Sequence, residues 1–177
     1  MEENNTTPFS VIYESFLSKI TDDMYMELTK EDTYKMLEDL LISAIPKFEF
    51  PRINLFDYEL GKTEPAEGEE ETDTYIVGFF NNELSLEEIN ILATYMIVEW
   101  LGQQLASIEN TRMKFSGTDF KFTSQANHMQ KLLVIKKDYE REGFHLQRLY
   151  KRRAPRSTDG APKSTLDIIM APLKKGE

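Results

Sequence analysis

The chain has no cysteine among its 177 residues and only two histidines. Without cysteine, neither a disulfide framework nor a thiolate metal site can form. The histidines, His128 and His145, lack the His-x-x-x-His spacing with which a helix binds a transition metal. We therefore expect no metal and no other cofactor. We interpret His128 as a core or interface histidine, because it continues an apolar stripe of a long predicted helix.

Motifs of catalysis and of membrane insertion are also missing. The sequence contains no Gly-rich phosphate loop, no Gly-x-Ser-x-Gly elbow and no strand-to-helix glycine fingerprint. Its apolar run from Ile91 to Val98 is far shorter than the roughly 18 residues of a membrane span, and the first residues do not form a secretory signal. Glu99 is the best candidate for a buried carboxylate, and we expect it to pair with an Arg or Lys across an interface. We expect a soluble protein without enzymatic activity and without a membrane partner.

The charge of the chain is divided unevenly along its length. Residues 1–110 carry 6 Lys/Arg and 24 Asp/Glu, a net of −18, whereas residues 111–177 carry 15 and 7, a net of +8, which sum to −10. Two halves of opposite charge can complement another copy of the chain, and the basic half can face another acidic partner. This asymmetry favours charge-steered assembly as the function.

The apolar spacing predicts a mainly α fold, a small helical bundle around a central hydrophobic helix. Helices are predicted after Pro8 and between Thr29 and Pro46. A capping box, Ser85-Leu-Glu-Glu88, opens the most hydrophobic helix, which we expect to end at about Ile108. Because its apolar residues point in almost every direction, this helix is predicted to be central and buried on several sides. Gly102 within it is predicted to mark a close helix crossing.

A short β-hairpin and an extended C-terminal arm complete the predicted fold. Aromatic and β-branched residues at 48–58 and 74–80 predict two strands, joined by an acidic loop at 61–73. We expect one helical domain over residues 1–153, with the hairpin inserted at about 48–80. Residues 154–177 are predicted to form the arm.

The last predicted helix, from Thr123 or Ser124 to about Tyr150, has two contrasting faces. With Lys137 at zero and 100° per residue, five cations lie between about −40° and +60°. These residues, called the basic ridge below, are Lys137, Arg141, Arg148, Lys151 and Arg152. The opposite stripe is apolar and contains Leu132, Ile135, Tyr139, Leu146, Leu149 and Tyr150.

The basic ridge has two interpretations from the sequence alone. It is either a solvated face of a core helix or a binding surface for an anionic partner, such as an acidic surface of another subunit or nucleic acid. Gly143 interrupts the helix, and it is either tolerated with a slight bend or forms a hinge or a tight packing point.

Several stretches of the chain resemble the head–tail connector proteins, also called neck or adaptor proteins, of tailed bacteriophages. The central helix of that family resembles Glu83-Leu-Ser-Leu-Glu-Glu-Ile-Asn-Ile-Leu-Ala-Thr-Tyr-Met-Ile-Val-Glu-Trp-Leu101. The run Phe122-Thr-Ser-Gln-Ala-Asn-His-Met-Gln-Lys-Leu-Leu133 is also similar, as is the early stretch Leu40-Leu-Ile-Ser-Ala-Ile-Pro-Lys-Phe48. Further matching positions are Glu140, Gly143, Phe144, Leu146, Leu149 and Tyr150-Lys-Arg-Arg153. Together these stretches cover about half of the chain.

The resemblance implies a virion structural protein of the phage neck, made in the host cytoplasm. Such proteins form a homo-oligomeric ring, usually twelvefold, that docks under the portal protein and continues the DNA channel toward the tail. A downstream neck or tail-completion protein would follow, and packaged DNA could be contacted non-specifically. The arm would dock on the portal through Leu166, Ile168, Ile169 and Met170. The acidic loop at 61–73 corresponds to no motif of the family.

Two other functions stay open at this point. The first is a nucleic-acid-binding module that uses the ridge at 137–152, although the sequence pI of 4.8 and the lack of interleaved aromatic residues other than Phe144 disfavour it. The second is a helical assembly factor that never enters a virion. Within the connector hypothesis, we expect the ridge to face the next subunit, because a channel wall along which DNA slides should not grip phosphates.

Overall fold

The structure is a computed structural model that describes residues 6–20, 29–64, 74–114 and 122–153. It is mainly helical, with a small antiparallel sheet, as the sequence predicts. The helices are α1 (Phe9–Leu17), α2 (Lys30–Ala44), α3 (Leu86–Lys114) and α4 (Phe122–Arg152). The strands are β1 (Thr7–Pro8), β2 (Tyr58–Glu59), β3 (Lys62–Glu64), β4 (Thr74–Ile76) and β5 (Phe79–Phe80).

The helix starts follow the capping signals of the sequence. At α2, the Thr29 hydroxyl accepts a hydrogen bond from the Asp32 backbone N–H at 3.1 Å. At α3, the Ser85 backbone N–H donates to the Glu88 carboxylate at 2.8 Å, which completes the predicted capping box. Helix α2 ends before a single 3₁₀ turn at Ile45–Lys47, where proline prevents continuation. Helix α3 continues to Lys114, beyond its predicted end.

The first predicted strand is shorter and begins later than expected, and the second is divided into β4 and β5. Residues 48–57 form no strand, and pairing begins only at β2, which joins β5, while β3 pairs with β4. A third strand, β1, pairs with the other edge of β5, so one sheet has the order β1-β5-β2. The prediction of a strand is wrong for residues 48–57, because the backbone N–H groups of Glu49 and Arg52 donate to the side chains of Gln147 and Tyr150 on α4 instead. Residues 65–73 of the acidic loop lie outside the described residues.

Helix α3 is the central element, since it contacts α1, α2 and α4. Between Leu86 and Asn110, where side-chain burial is described, its buried residues all lie from Glu88 to Leu101, and from Gly102 to Asn110 it is half-buried or exposed. Helix α4 runs antiparallel to it, because Tyr150 contacts Glu88 and Gln147 contacts Tyr95. The core therefore lies at one end of the helix pair, and both helices, each over 40 Å long at about 1.5 Å per residue, extend past it.

The two helical glycines do not have the predicted roles. A Cβ atom at Gly102 would lie 3.6 Å from Cε of Lys136, which is an ordinary contact, so the predicted close crossing there is wrong. A Cβ atom at Gly143 would lie 2.8 Å from Cζ of Tyr95, closer than packed atoms approach. Of the alternatives for Gly143, the tight packing point is the one observed.

Candidate interaction surface

The five basic-ridge residues all lie on the exposed face of α4, turned away from α3. The Lys151 ammonium stands 4.0 Å from the ring centroid of Phe50, and the Arg141 guanidinium is 3.5 Å from an Asp138 oxygen. In the described part of the chain, no ion pair includes Lys137, Arg148, Lys151 or Arg152. The ridge therefore carries positive charge that the described part of the chain leaves mostly uncompensated.

Three exposed apolar side chains interleave the cations of the ridge. On the projection used above, Leu133, Val134 and Phe144 lie at about −40°, +60° and −20°, within the sector of the ridge. Their side chains are 41%, 59% and 47% exposed. Of the three, only Phe144 was expected on this face, because the prediction was based on the positions of the charged residues. We call the combined surface, the five cations with these three residues, the mixed face of α4.

The opposite stripe of α4 packs on α3 as predicted, with one exception. Tyr150 is buried, and Leu132, Tyr139, Leu146 and Leu149 are half-buried. Ile135 is 43% exposed, because at its level α3 has passed the core and no longer has a full set of neighbours. His128 is exposed, so it is not a core histidine, and its place at an interface stays a prediction.

The C-terminal end of α4 is fixed by a buried polar network. The Gln147 side chain, 1% exposed, donates to the Lys47 carbonyl at 2.8 Å and accepts from the Glu49 N–H at 2.7 Å. The Tyr150 hydroxyl donates to the buried Glu88 carboxylate at the start of α3. Burial, followed by the negative charge of Glu88, raises the pKa of Tyr150 well above its usual range.

Arg52 caps the same helix end from outside. Its guanidinium donates to the carbonyls of Tyr150 and Arg153 and lies 4.2 Å from the Tyr150 ring centroid. A cation at the C-terminal carbonyls complements the helix dipole. Arg153 also forms an ion pair with Glu87. The residue that precedes the predicted arm is therefore held at a defined place on the domain.

The other predicted sites are the ion pair of Glu99 and the docking residues of the C-terminal arm. Glu99 pairs with Lys47 of its own chain at 2.7 Å, so the predicted partner type is right and a partner across an interface is not needed. The arm residues Leu166, Ile168, Ile169 and Met170 lie outside the described residues.

Within the described ranges, no group of three or more His, Cys, Asp or Glu side chains could hold a metal ion. None of the described helices has the length and apolarity to cross a membrane.

No protein-family model, no curated protein and no solved structure matches the chain.

Proposed function

We propose that this protein is a head–tail connector of a tailed bacteriophage, a helical bundle that forms a ring on the portal and continues the DNA channel toward the tail. The ring would be twelvefold, and a downstream neck or tail-completion protein would bind its other side. The proposal places the protein in the neck of the virion. Two observations support it. About half of the chain resembles this family, and the exposed surface of α4 carries both cations and apolar side chains.

The mixed face of α4 is the observation that carries the proposal. Leu133, Val134 and Phe144 are all exposed on this face, and a surface that groups several exposed apolar side chains with polar residues around them is a candidate protein-interaction site. Phosphate binding would require the cations alone. The mixed face therefore favours a protein partner with an acidic, partly apolar surface over nucleic acid.

The charge division makes another copy of the chain a suitable partner. Residues 1–110 have a net charge of −18, and the mixed face belongs to the half with a net of +8. An interface between two different patches is heterologous, and it closes into a ring when the rotation between neighbours is a whole fraction of a turn. Acidic and basic halves in one chain supply two such patches.

The fixed end of α4 supports the proposed role of the C-terminal arm. Because Arg52, Tyr150 and Glu87 hold the last turn, residues 154–177 start from a set position on each subunit. In the proposal, Leu166, Ile168, Ile169 and Met170 dock on the portal as an added strand.

Binding to the portal of the same phage tests the proposal. We expect the full chain to bind portal rings and to be found in purified virions, and a chain that ends at Arg153 to keep its fold by circular dichroism and lose portal binding. The matched control replaces Lys163 and Lys174 by Ser, which changes the charge of the arm and leaves the apolar residues. If the truncated chain still binds, the assignment of the arm is wrong; if the full chain is absent from virions, the assembly-factor hypothesis is favoured.

The nucleic-acid hypothesis makes a different prediction for the same surface. If α4 binds DNA, duplex binding should fall steeply with salt and should weaken when Lys137 and Arg141 become Ser. Replacing Val134 by Ser should then have no effect. We expect the reverse ranking in assembly, in which Val134→Ser weakens association as much as the loss of one cation.

A further inference from the structure

The three-stranded sheet β1-β5-β2 has one face toward the core and one toward solvent. The Cα partners across it form two rows, Thr7 with Phe80 and Tyr58, and Pro8 with Phe79 and Glu59. Because successive side chains of a strand point to opposite faces, the two rows belong to opposite faces. Phe80 is fully buried, whereas Pro8 and Glu59 are exposed. The row with Pro8, Phe79 and Glu59 is therefore the outer one.

The outer face continues beyond this row. Asp57 lies two positions before Glu59, and Asn81 lies two positions after Phe79, so both follow the outer side of their strands. The Asn81 backbone N–H donates to the Asp57 carbonyl at 3.0 Å, and its side chain donates to an Asp57 carboxylate oxygen at 2.8 Å. Two exposed carboxylates, those of Asp57 and Glu59, thus lie close together on the outer face.

Large apolar side chains lie beside these carboxylates. Phe56 precedes Asp57 and Leu60 follows Glu59, and their side chains are 68% and 57% exposed. Phe79 adds a half-buried ring next to Glu59. Exposed apolar side chains grouped with polar residues mark a candidate protein-interaction site. We call the surface formed by Pro8, Phe56, Asp57, Glu59, Leu60 and Phe79 the acidic sheet surface.

The segments that build this surface contain no cation. Residues 6–18, 53–61 and 75–91 include six Asp or Glu and no Lys or Arg. In the described part of the chain, no ion pair includes Asp57 or Glu59. The acidic sheet surface therefore carries negative charge that the described residues do not neutralise.

The acidic residues of α2 are already in use within the chain. This helix has four acidic and two basic residues, and Lys35 pairs with Glu31 at 2.5 Å. The Glu38 carboxylate accepts a hydrogen bond from the Gly61 backbone N–H at 2.7 Å. Compared with α2, the acidic sheet surface is the better complement for an uncompensated basic surface.

We propose that the acidic sheet surface binds the mixed face of α4 of the next copy of the chain. This inference rests on the proposed ring, and it names the two surfaces that meet in it. Each surface combines exposed apolar side chains with charges of one sign, and the two signs are opposite. Both surfaces are exposed in one copy, so they do not cover each other within a chain. Opposite charges steer such an encounter and fix its register.

Zero-length cross-linking with a carbodiimide tests the contact, because this reagent joins a carboxylate to a lysine amine only where the two groups touch. The full chain, as an equal mixture of unlabelled and heavy-isotope-labelled protein, is bound to portal rings and cross-linked. Peptides of mixed label identify links between copies. We expect such links to join Asp57 or Glu59 to Lys137 or Lys151. Links from these lysines to carboxylates of α2 in another copy, or no links between copies, would overturn the inference.

Charge reversal gives an independent measurement. Glu59→Lys should weaken the association of copies on portal rings about fivefold, which is the scale of one exposed ion pair. The matched control is Asp39→Lys, which makes the same change of net charge at an exposed position of α2. If the control weakens association equally, the total charge is responsible and the contact is refuted. Reversal of the cross-linked lysine in the Glu59→Lys chain should regain most of the loss.

An apolar pair of variants tests the other half of the contact. Phe56→Ser should weaken association as much as Glu59→Lys, since the ring is exposed and lies outside the core. Ile76→Ser removes an exposed apolar side chain from β4, in the other sheet, and should have no effect. Circular dichroism checks that both variants keep the fold. Equal losses from the two variants would contradict a contact at the acidic sheet surface.

The cross-links also separate this contact from the proposed function. Chains that bind the portal without the expected links would reject the contact and leave the connector function in place. Linked copies that never bind the portal would support the contact and contradict the connector function. Links from Asp57 or Glu59 to the portal itself would show that the portal occupies the surface, which overturns the inference.

Discussion

The two helical glycines should respond to the same substitution in opposite directions. Gly102 and Gly143 both lie inside long helices, where alanine is favoured over glycine by about 0.5–1 kcal/mol. At Gly102 a methyl group would meet only Cε of Lys136, the end of a flexible side chain, at 3.6 Å. We therefore expect Gly102→Ala to raise the free energy of unfolding by about 0.5–1 kcal/mol.

At Gly143 the methyl group meets a rigid ring. It would lie 2.8 Å from Cζ, 2.9 Å from Cε1 and 3.1 Å from the hydroxyl of Tyr95, and this hydroxyl accepts a hydrogen bond from buried Gln147. Overpacking of this kind costs about 1–3 kcal/mol. After subtraction of the helix gain, Gly143→Ala should lower the free energy of unfolding by up to about 2.5 kcal/mol.

Urea titration followed by circular dichroism measures both changes. The two variants should differ by about 2 kcal/mol, or by about 4–8 °C in Tm for a chain of this size. Tyr95→Leu should remove most of the penalty of Gly143→Ala in a double-mutant cycle and leave Gly102→Ala unaffected. If Gly143→Ala stabilises the protein as much as Gly102→Ala does, the close approach of α4 to Tyr95 is refuted.

The remaining predictions concern the polar network and the tyrosines. Glu88→Ala should lower the free energy of unfolding by about 2–4 kcal/mol in urea titration, because it removes a helix cap and leaves the buried Tyr150 hydroxyl without its acceptor. Arg52→Ala should cost about 1 kcal/mol and speed amide hydrogen exchange in the last turn of α4, whereas an exchange rate equal to the wild type would contradict the cap. The pKa of Tyr75 is raised to about 12 by burial and neighbouring carboxylates, and burial also raises that of Tyr13. Since unfolded tyrosines ionise near pH 10, these groups stabilise the fold fully below that pH, and stability should fall as pH rises through 10–12, with tyrosinate absorbance and unfolding appearing together.

Local signals predict the helix starts well because each depends on a few neighbouring residues. Thr29 with Asp32, and Ser85 with Glu88, form the expected caps, and the apolar spacing of α3 correctly indicates a helix buried on several sides. A cap or an amphipathic period is complete within a few turns of chain, so the sequence alone contains the information.

Features that join distant segments could not be predicted in the same way. Residues 48–57 have strand-forming composition, but the backbone N–H groups of Glu49 and Arg52 donate to Gln147 and Tyr150, about one hundred positions later. The contact of Gly143 with Tyr95 also depends on how two helices approach each other, and nothing near either residue specifies it. Such contacts override the local preference of a segment for a strand, because β-propensity mainly reflects how the side chains pack against neighbouring residues.

Two residues of the mixed face of α4, Leu133 and Val134, were not predicted as part of a site. The prediction divided the helix into a basic ridge and an apolar stripe on the opposite side. Leu133 and Val134 are apolar but lie on the side of the cations, so they belonged to neither group. The signal in the sequence that identifies them is their position on the helical projection, beside Lys137. The combination, rather than the charge alone, makes this face a candidate interface.

The mass of the complex between the full chain and the portal tests the central claim most directly. Native mass spectrometry of portal rings saturated with the protein should show one copy bound per portal subunit, up to a closed ring. A monomer in free solution agrees with this account, since the ring can form on the portal. A chain that stays monomeric and leaves the mass of the portal unchanged would contradict it.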